Sequence, residues 1–342
     1  MIFELLDGKK LNKETAPYIV AELNTSHFGD LDVAVSMIQK AKEIGCDCVK
    51  FQSWNESSLY SRSYYEENRI AERMFKKLSL GREDFFHLKR AAEKIGISLT
   101  STPYSFEEVN FLIDEIRVPF IKVASMDIVT LPFLKHIAKR NVPTVLSTGM
   151  STLDEIRAAV SIFEKYNTQP ICILHCVSTY PTSPENLNLY NIKMLQEEFL
   201  NHFVGYSDHS LSEFASVAAV GLGAIMIEKH FTLDASRIGF DNQMAAEPEV
   251  MQRVVDYCKS TKIALGSYER NLGVGEIEQR PKMRRSIIAA RAIEAGKIIE
   301  LADLSFKRPG TGLCPSTVNE VVGRKILKQK FADELLEADD FE

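Results

Sequence analysis

The feature that most constrains the fold is a regular alternation of short apolar runs with amphipathic helical patterns. Eight apolar runs rich in β-forming residues cover residues 18–23, 47–51, 98–101, 120–123, 144–146, 171–175, 203–206 and 224–228. Between and after them, helical periodicity covers residues 31–44, 82–95, 105–116, 131–139, 151–166, 186–199, 210–222 and 248–265. Runs that are continuously apolar are typical of parallel strands covered on both faces. The pattern therefore predicts an α/β protein with a (β/α)8 TIM-type barrel.

An open, doubly wound sheet is the alternative for a chain that alternates strands and helices. It is less consistent with this sequence, because no Gly-x-Gly-x-x-Gly follows the first predicted strand.

The character of the sequence changes after Leu265. The chain has 342 residues, which leaves room for a barrel of about 250 residues and a small module. Residues 267–285 are rich in Gly, Glu, Arg and Lys, and predict a linker, whereas 286–342 predict a compact domain. A domain this small is marginally stable alone, so we expect it to dock on the barrel or on a partner chain. The predicted domains are 1–266 and 286–342, joined by 267–285.

Composition and charge exclude several classes of protein. A net charge of −6 argues against nucleic acid as a partner, since phosphate backbones require a basic face. No apolar run approaches the roughly 20 residues of a membrane span, and the first residues lack the layout of a signal peptide. Most of the six cysteines lie in apolar runs, as reduced, buried thiols do. We therefore expect a cytoplasmic protein that contacts neither membrane nor nucleic acid.

The ends of the predicted strands are polar, which a purely structural barrel does not require. In TIM-type barrels the reactive groups sit where strands end and βα loops begin. The polar residues at these ends are Glu22, His27, Lys50, Gln52, Thr102, Lys122, Ser125, Asp127, Ser147, Ser178, Tyr180, Ser207, His209, Glu228 and His230. Two lysines, several hydroxyls and the backbone amides near Gly149 suit a phosphate dianion. The alternative for each lysine is a salt bridge to a neighbouring carboxylate.

Two histidines predict a divalent metal site. His209 and His230 each follow a buried strand, and a helical stretch separates them. If the two strands are parallel neighbours, both imidazoles emerge at the same edge of the sheet. Two nitrogens, with Glu22 as a further oxygen and positions left for water or substrate, fit Mn²⁺ or Mg²⁺. Cys176 is a weaker ligand candidate, and the alternative for each histidine is a purely structural hydrogen bond.

At this point the residues resemble a known family, the sialic acid synthases, which make N-acetylneuraminate, legionaminate or pseudaminate. The stretches that carry the resemblance occur in order along the barrel: Ile19-Val20-Ala21-Glu22-Leu23, Val49-Lys50-Phe51-Gln52, Ser101-Thr102-Pro103, Ile121-Lys122-Val123-Ala124-Ser125, Leu146-Ser147-Thr148-Gly149-Met150, Gly205-Tyr206-Ser207-Asp208-His209 and Glu228-Lys229-His230-Phe231. The tail with Lys307-Arg308-Pro309-Gly310 is similar to the family's antifreeze-like (SAF) domain.

The resemblance implies an activity. It is the condensation of phosphoenolpyruvate with an open-chain N-acylated hexosamine-type sugar, which gives a nine-carbon 2-keto-3-deoxy sugar acid and phosphate. It also implies a divalent metal, Mn²⁺ first and Mg²⁺ or Co²⁺ as alternatives, and a homodimer in which each SAF domain packs on the other protomer.

The resemblance further implies roles for residues at the matching positions. Glu22, His209 and His230 are catalytic, and the two histidines hold the metal. Phosphoenolpyruvate is bound by Lys50, Gln52, Thr102, Lys122, Ser125, Ser147 and Ser207. The sugar is bound by Asp127, Ser178, Tyr180, Asp241 and, from the partner chain, Arg308.

The sequence departs from the family pattern on the sugar side. Ser26 precedes His27 where Asn is common, Asp127 stands where Glu is common, and Ser178 stands where Asn is frequent. The usual Gly-Pro-Asp turn is Gly239-Phe240-Asp241. These changes leave the implied reaction intact and leave the acceptor sugar open.

Two other classes of function stay open. An aldolase of TIM-barrel type would use Lys50 or Lys122 as a Schiff-base nucleophile and would need no metal. A non-catalytic binding protein would use the C-terminal domain for partners, although the set of polar strand ends argues against it.

Overall fold

The computed structural model describes residues 1–54 and 58–342, which form two compact units. Met1–Gly266 is called the barrel unit below, and Ser267–Glu342 the C-terminal unit. Among the described helices, none combines the length and the apolar character needed to cross a bilayer.

The barrel unit contains a parallel sheet that confirms the predicted fold class. A short antiparallel hairpin, β1 (Phe3–Glu4) and β2 (Lys10–Leu11), precedes it. The described parallel strands are β3 (Tyr18–Glu22), β4 (Cys48–Ser53), β5 (Ser98–Pro103), β6 (Ile121–Val123), β7 (Thr144–Ser147), β8 (Cys172–Cys176), β9 (Phe203–Asp208) and β10 (Met226–His230). Their order is β5-β4-β3-β10-β9-β8-β7-β6. The first and last strands in this order, β5 and β6, lie next to each other, where the Thr100 hydroxyl donates to the Phe120 carbonyl at 2.6 Å. The sheet therefore closes into a near-barrel.

Because side chains alternate along each strand, one set packs between the sheet and the helices and the other set packs inside the barrel. Residues such as Ile19, Val49 and Ile173 point outward and pack under the helices. Residues of the other parity point inward, and near the amino ends of the strands they form an apolar plug: Tyr18, Val20, Cys48, Phe120, Val145, Cys172, Leu174, Phe203 and Met226. Residues of the same parity farther along the strands are polar: Glu22, Lys50, Thr102, Lys122, Ser147, Ser207 and Glu228. Because side chains two apart share a face, the barrel interior changes from apolar to ionic toward the carboxyl ends of its strands.

The described helices of the barrel unit are α1 (Leu31–Ile44), α2 (Arg62–Glu67), α3 (Arg69–Leu78), α4 (Arg82–Ile95), α5 (Phe106–Phe111), α6 (Leu131–Lys139), α7 (Leu153–Tyr166), α8 (Asn191–Glu198), α9 (Phe214–Gly221) and α10 (Pro248–Leu265). A π-helical turn, Leu112–Ile116, continues α5. Helix α1 begins where the Asp30 carboxylate accepts from the amides of Asp32 and Val33, and it ends at Gly45 with φ 90°, a conformation that glycine adopts at little cost.

Two helices between β4 and α4, namely α2 and α3, were not predicted. Its apolar residues, among them Met74, Phe75 and Leu78, recur at helical spacing in a segment otherwise rich in Arg and Lys, but only Phe75 and Leu78 are buried. These helices position an aromatic cluster beside the barrel opening.

The C-terminal unit has its own small core. Helix α11 (Val274–Met283) lies inside the segment predicted as a linker, and β11 (Ser286–Ala289) pairs antiparallel with β12 (Leu304–Lys307). A short helix, α12 (Val318–Val321), follows. The core consists of Ile287, Ala289, Ile293, Ile299, Leu304, Val321, Ile326, Leu336 and Phe341.

One buried carboxylate makes the stability of this unit depend on pH. Asp303 is buried and accepts from Lys297 Nζ at 2.6 Å and Arg291 Nε at 2.7 Å. Burial alone would raise the pKa of Asp303, but hydrogen bonds from Lys297, the Glu300 amide and Arg291 lower that pKa to about 2. A carboxylate with a lowered pKa stabilises the fold above its unfolded value of about 4, and this contribution is lost as the pH falls toward 2.

Between about pH 4 and 2, we therefore expect the free energy of unfolding of this unit to decrease less in Asp303→Asn than in the wild type. Urea titrations of the full chain, followed through the amide NMR signals of Ile287 and its neighbours, measure this. The control Glu294→Gln changes an exposed carboxylate and should keep the wild-type pH dependence. A steep acid loss that persists in Asp303→Asn would contradict the assignment.

Candidate active site

A cavity of about 380 Å³ opens at the carboxyl ends of the barrel strands. Most residues that the sequence pointed to in this unit line it: Glu22, Lys50, Gln52, Thr102, Lys122, Ser125, Ser147, Ser178, Tyr180, Ser207, His209, His230 and Asp241. Asp127 and Arg308 are not among the lining residues. The cavity therefore brings residues from all eight βα loops or strand ends to one place.

Two buried lysines form the floor of the cavity. Lys50 Nζ makes an ion pair with Glu22 and donates to Thr102 Oγ1 at 2.9 Å. Lys122 Nζ donates to Ser147 Oγ at 2.6 Å. Each ammonium is thus held by a hydroxyl of the neighbouring strand, which lies two residues beyond the lysine's register partner, Thr100 for Lys50 and Val145 for Lys122.

Glu228 lies between the two lysines. Its Oε2 is 3.8 Å from Lys50 Nζ, and its Oε1 is 3.6 Å from Lys122 Nζ. The Ser207 hydroxyl donates to the same carboxylate at 3.0 Å. The floor is therefore a compact network of alternating charge from four strands.

The two carboxylates of the floor have opposite pKa shifts. Burial raises the pKa of Glu22 to about 7, although Lys50 opposes this. Burial would also raise the pKa of Glu228, but Lys122 and Lys50 outweigh it and lower that pKa to about 2. At neutral pH, Glu228 is a permanent anion and Glu22 can take up or release a proton, a difference typical of acid–base sites.

Beside the lysines, a small polar pocket is formed around Gly149. Its amide donates to Ser125 Oγ at 3.0 Å and to Cys176 Sγ at 3.1 Å. A Cβ at position 149 would collide with Ser178 Oγ and lie 2.9 Å from Ser125 Oγ. Only glycine allows this close approach, which leaves the hydroxyls of Ser125 and Ser178 directed at one point.

The two histidines lie side by side, with ring centroids 5.5 Å apart. Their strands, β9 and β10, are paired in parallel, as the metal hypothesis required. His209 Nδ1 lies 2.7 Å from the Val177 carbonyl, which can only accept, so Nδ1 carries the proton and Nε2 keeps its lone pair. Burial lowers the pKa of both imidazoles, so both are neutral near pH 7.

A buried ion pair beneath His209 fixes the loop that carries it. Lys229 Nζ donates to Asp208 Oδ2 at 2.9 Å and to the Ser210 carbonyl at 2.7 Å. Asp208 also accepts from the Ser210 amide at 2.9 Å and the Ser216 hydroxyl at 2.6 Å. Since all these partners are buried, the backbone on both sides of His209 has a single well-defined path.

The donor set fits a divalent cation held by two protein ligands. Among residues 1–54 and 58–342, no three His, Cys, Asp or Glu side chains cluster closely enough to hold a metal. Glu22, the suggested oxygen ligand, instead pairs with Lys50 and accepts from the Asn24 amide at 2.8 Å. Two neutral imidazoles, one fixed in its tautomer by a carbonyl, are suitable ligands when water or substrate completes the coordination.

Of the remaining predicted sugar-side residues, Tyr180 and Asp241 line the cavity. The Tyr180 ring centroid is 4.3 Å from that of His209, and Asn24 Nδ2 donates to Asp241 Oδ2 at 2.5 Å. Burial raises the pKa of Asp241. Asp127 does not line the cavity; burial raises the pKa of its carboxyl to about 6. Arg308 is an exposed residue of the C-terminal unit.

Two parts of the site were missed as binding or catalytic residues. Glu228 was noted only as a polar strand end, although its place two residues before His230 puts both on the inner face of β10. Trp54, Tyr60 and Phe75, which the sequence did not indicate, also line the cavity, together with Tyr104 and with Phe240, which the sequence marks as a departure on the sugar side. The available signal for Phe75 is the helical spacing of the apolar residues at 69–78.

Comparison with known proteins identifies the family. The sequence profile of the NeuB family matches residues 37–270, and that of the SAF domain matches 284–342. The chain belongs to the NeuB family. A relative of this NeuB-family protein, the N,N'-diacetyllegionaminic acid synthase of Legionella pneumophila, is 36% identical over 90% of both chains. An uncharacterized protein of Methanocaldococcus jannaschii is 40% identical over 98% of this chain and 97% of its own.

A solved structure extends the likeness to three dimensions. The N-acetylneuraminic acid synthetase of Leptospira borgpetersenii, crystallised with citrate, is 32% identical and has a TM-score of 0.75. The similarity covers 82% of this NeuB-family protein and 95% of that chain. Because the relatives' names refer to different sugar acids, membership of the family leaves the acceptor undecided.

Proposed function

We propose that this protein condenses phosphoenolpyruvate with an open-chain N-acylated hexosamine-type sugar, giving a nine-carbon 2-keto-3-deoxy sugar acid and phosphate. The observation that carries the proposal is the floor of the cavity. There, Lys50 and Lys122 lie on either side of Glu228, within 3.8 Å and 3.6 Å of its carboxylate oxygens, beside two neutral imidazoles. Two cations suit the phosphate and carboxylate of phosphoenolpyruvate, and family membership supports the same reaction.

Binding of phosphoenolpyruvate uses the lysines and the hydroxyls that hold them. Lys50 with Thr102, and Lys122 with Ser147, supply charge and directional donors. Ser125, Ser207 and Gln52 complete the proposed set. Burial lowers the pKa of Lys122, and an anion placed beside it favours its charged form, so binding of phosphoenolpyruvate keeps this lysine protonated.

The bond-forming step joins C3 of phosphoenolpyruvate to the aldehyde carbon of the sugar. His209 and His230 would hold a divalent cation, which would supply Lewis-acid polarisation of the aldehyde oxygen. Water then adds at C2 and the C2–O bond to phosphate breaks, which leaves a C2 ketone; of the two protons of that water, one ends on the former aldehyde oxygen and the other leaves with phosphate. Glu22, with a pKa of about 7, is placed to accept the proton from that water, while ionised Glu228 keeps the two ammonium groups in position.

Several finer features belong to the same proposal. Mn²⁺ is the metal we propose, with Mg²⁺ and Co²⁺ as alternatives. The sugar is held by Asp127, Ser178, Tyr180 and Asp241 and, across a homodimer, by Arg308 of the partner subunit. We also propose a barrel domain at 1–266, a linker at 267–285, a SAF domain at 286–342 and a cytoplasmic location.

Phosphate release tests the proposed reaction. Purified protein is incubated with phosphoenolpyruvate, Mn²⁺ and each of three acceptors: N-acetylmannosamine and the two diacetylated deoxyhexoses that lead to legionaminate and pseudaminate. We expect phosphate to appear only when an acceptor is present, with one nine-carbon acid formed per phosphate. Turnover that survives EDTA, together with borohydride trapping of a lysine, would instead support a Schiff-base aldolase.

The proposed role of Arg308 across a dimer predicts complementation. An Arg308→Ala chain mixed with a His230→Ala chain should recover up to about a quarter of wild-type activity, because half of the dimers are hybrids with one intact site. Each variant alone serves as the control. Verified hybrid dimers without activity would contradict the role.

A further inference from the structure

The cavity has a floor and a mouth of opposite chemical character. Its charged residues Lys50, Lys122 and Glu228 lie within the strands, at the bottom. Residues beyond the strand ends form the mouth, and on one side these are aromatic or aliphatic: Trp54, Leu59, Tyr60, Phe75 and Phe240. We call these five residues the aromatic wall.

The aromatic wall is built from two distant parts of the chain. Phe75 comes from α3, and Phe240 from the loop after β10, and their rings stack with centroids 4.8 Å apart and planes 12° apart. Trp54 packs edge-on against Phe75 at 6.3 Å. The Trp54 indole N–H is directed to the Phe75 carbonyl at 3.4 Å, so the wall presents ring surface rather than this donor to the cavity.

Phe240 is the member of the wall that a ligand would cover. Its side chain is 44% exposed and that of Tyr60 is 40% exposed, whereas Phe75 is 9% exposed. Apolar groups placed against these rings would leave water, which is favourable in proportion to the apolar area buried.

The charges at the mouth argue against an anionic ligand there. Lys50 and Lys122 are the basic residues among the described lining residues, and both lie on the floor, paired with Glu22 or Glu228. The ionisable lining residue nearest the wall in sequence is Asp241, next to Phe240. Within its own chain, a phosphate dianion at the mouth would face aromatic rings and a carboxylate, and the proposed function assigns Arg308 of the partner subunit to the acylated amine of the sugar.

We propose that the aromatic wall selects an acceptor sugar whose far end is apolar and unphosphorylated, with a C6 methyl group and an acylated amine at C4. The proposal rests on the proposed function, in which the C1 aldehyde reaches the floor and C4 to C6 point to the mouth. Phe240 is then a specificity-determining residue for the condensation, and its stacking on Phe75 holds it in place.

The test compares acceptors that differ at one position. The rate constant kcat/KM for phosphate release is measured with N-acetylmannosamine, its 6-deoxy analogue, its 6-phosphate, and 2,4-diacetamido-2,4,6-trideoxymannose. We expect the 6-deoxy analogue to exceed N-acetylmannosamine by about 10-fold, since an apolar pocket rejects an added hydroxyl only modestly. The diacetylated sugar should be best and the 6-phosphate worst.

A variant of Phe240 connects this preference to the wall. Phe240→Ala should reduce the 6-deoxy preference to within about threefold, and Phe240→Leu should keep most of it. The matched control is Ile238→Ala, because Ile238 lies on the same loop, is 85% exposed and does not line the cavity. It should keep the wild-type preference.

The outcomes separate the two proposals. Equal use of the 6-deoxy sugar and N-acetylmannosamine, or a preference for the 6-phosphate, would overturn the inference while leaving the condensation intact. An unchanged preference in Phe240→Ala would also overturn it. Absence of phosphate release with every acceptor would overturn the proposed function itself, and the inference with it.

Discussion

Replacement of His230 by Ala is expected to lower turnover of phosphoenolpyruvate and sugar by about 10³-fold or more, since Lewis-acid polarisation contributes several kcal/mol to transition-state stabilisation. The fold should be retained, because His230 stands at the end of β10, next to the cavity. His209→Ala should have the same effect.

Metal binding gives this prediction a readout that is independent of turnover. Equilibrium dialysis with Mn²⁺ should show about one ion per wild-type chain and much weaker binding by either variant. The control is His87→Ala, which changes an exposed histidine on α4. Thermal unfolding at the wild-type temperature establishes that the variants are folded. Full activity in His230→Ala or His209→Ala would contradict the proposal that these two histidines hold the metal.

Replacement of Lys122 by Met is expected to raise the KM for phosphoenolpyruvate by about 10²- to 10³-fold, as loss of one member of a buried, hydrogen-bonded charge pair costs about 3–4 kcal/mol. Methionine keeps the length and packing of the side chain. It removes the ammonium that donates to Ser147 Oγ at 2.6 Å and lies 3.6 Å from Glu228 Oε1.

The KM for the sugar should change little in Lys122→Met, because the proposed acceptor contacts lie farther up the cavity. Lys94→Met is the control, since Lys94 is exposed on α4. Steady-state phosphate release at varied phosphoenolpyruvate measures the effect. A Lys122→Met protein with an unchanged KM for phosphoenolpyruvate would show that the floor does not bind this substrate. If Lys122→Met does not fold, the test uses Lys122→Arg. Arginine keeps the positive charge and should retain more affinity for phosphoenolpyruvate than methionine.

Much of the barrel could be predicted from the sequence, because the apolar pattern of each strand indicates which of its faces are buried. A continuous apolar run such as Tyr18–Glu22 indicates a strand buried on both faces. Alternation along the strand then places Glu22 on the same face as Tyr18 and Val20. The same reasoning applies to Lys50 on β4 and to Glu228 and His230 on β10, so the inward-facing polar residues follow from local patterns alone.

Other parts of the site could not be predicted because they depend on contacts between distant segments. The apolar spacing along α3 indicates a helix, but the importance of Phe75 becomes clear only when Phe240 stacks on it, with ring centroids 4.8 Å apart. Likewise, nothing near Glu228 in sequence indicates that Lys50 and Lys122 lie on either side of it. The different pKa values of Glu22 and Glu228 follow from that arrangement.

The sequence by itself therefore determined the class of fold, the face of each strand and the residues that could carry phosphate or metal chemistry. These properties depend on periodicities of two and 3.6 residues, which are local. The tertiary structure alone decided which carboxylate stays ionised, how the two imidazoles meet, and that an aromatic wall borders the cavity mouth. Those properties depend on distances between side chains that only the closed barrel brings together, where burial and neighbouring charge fix the energy of each group.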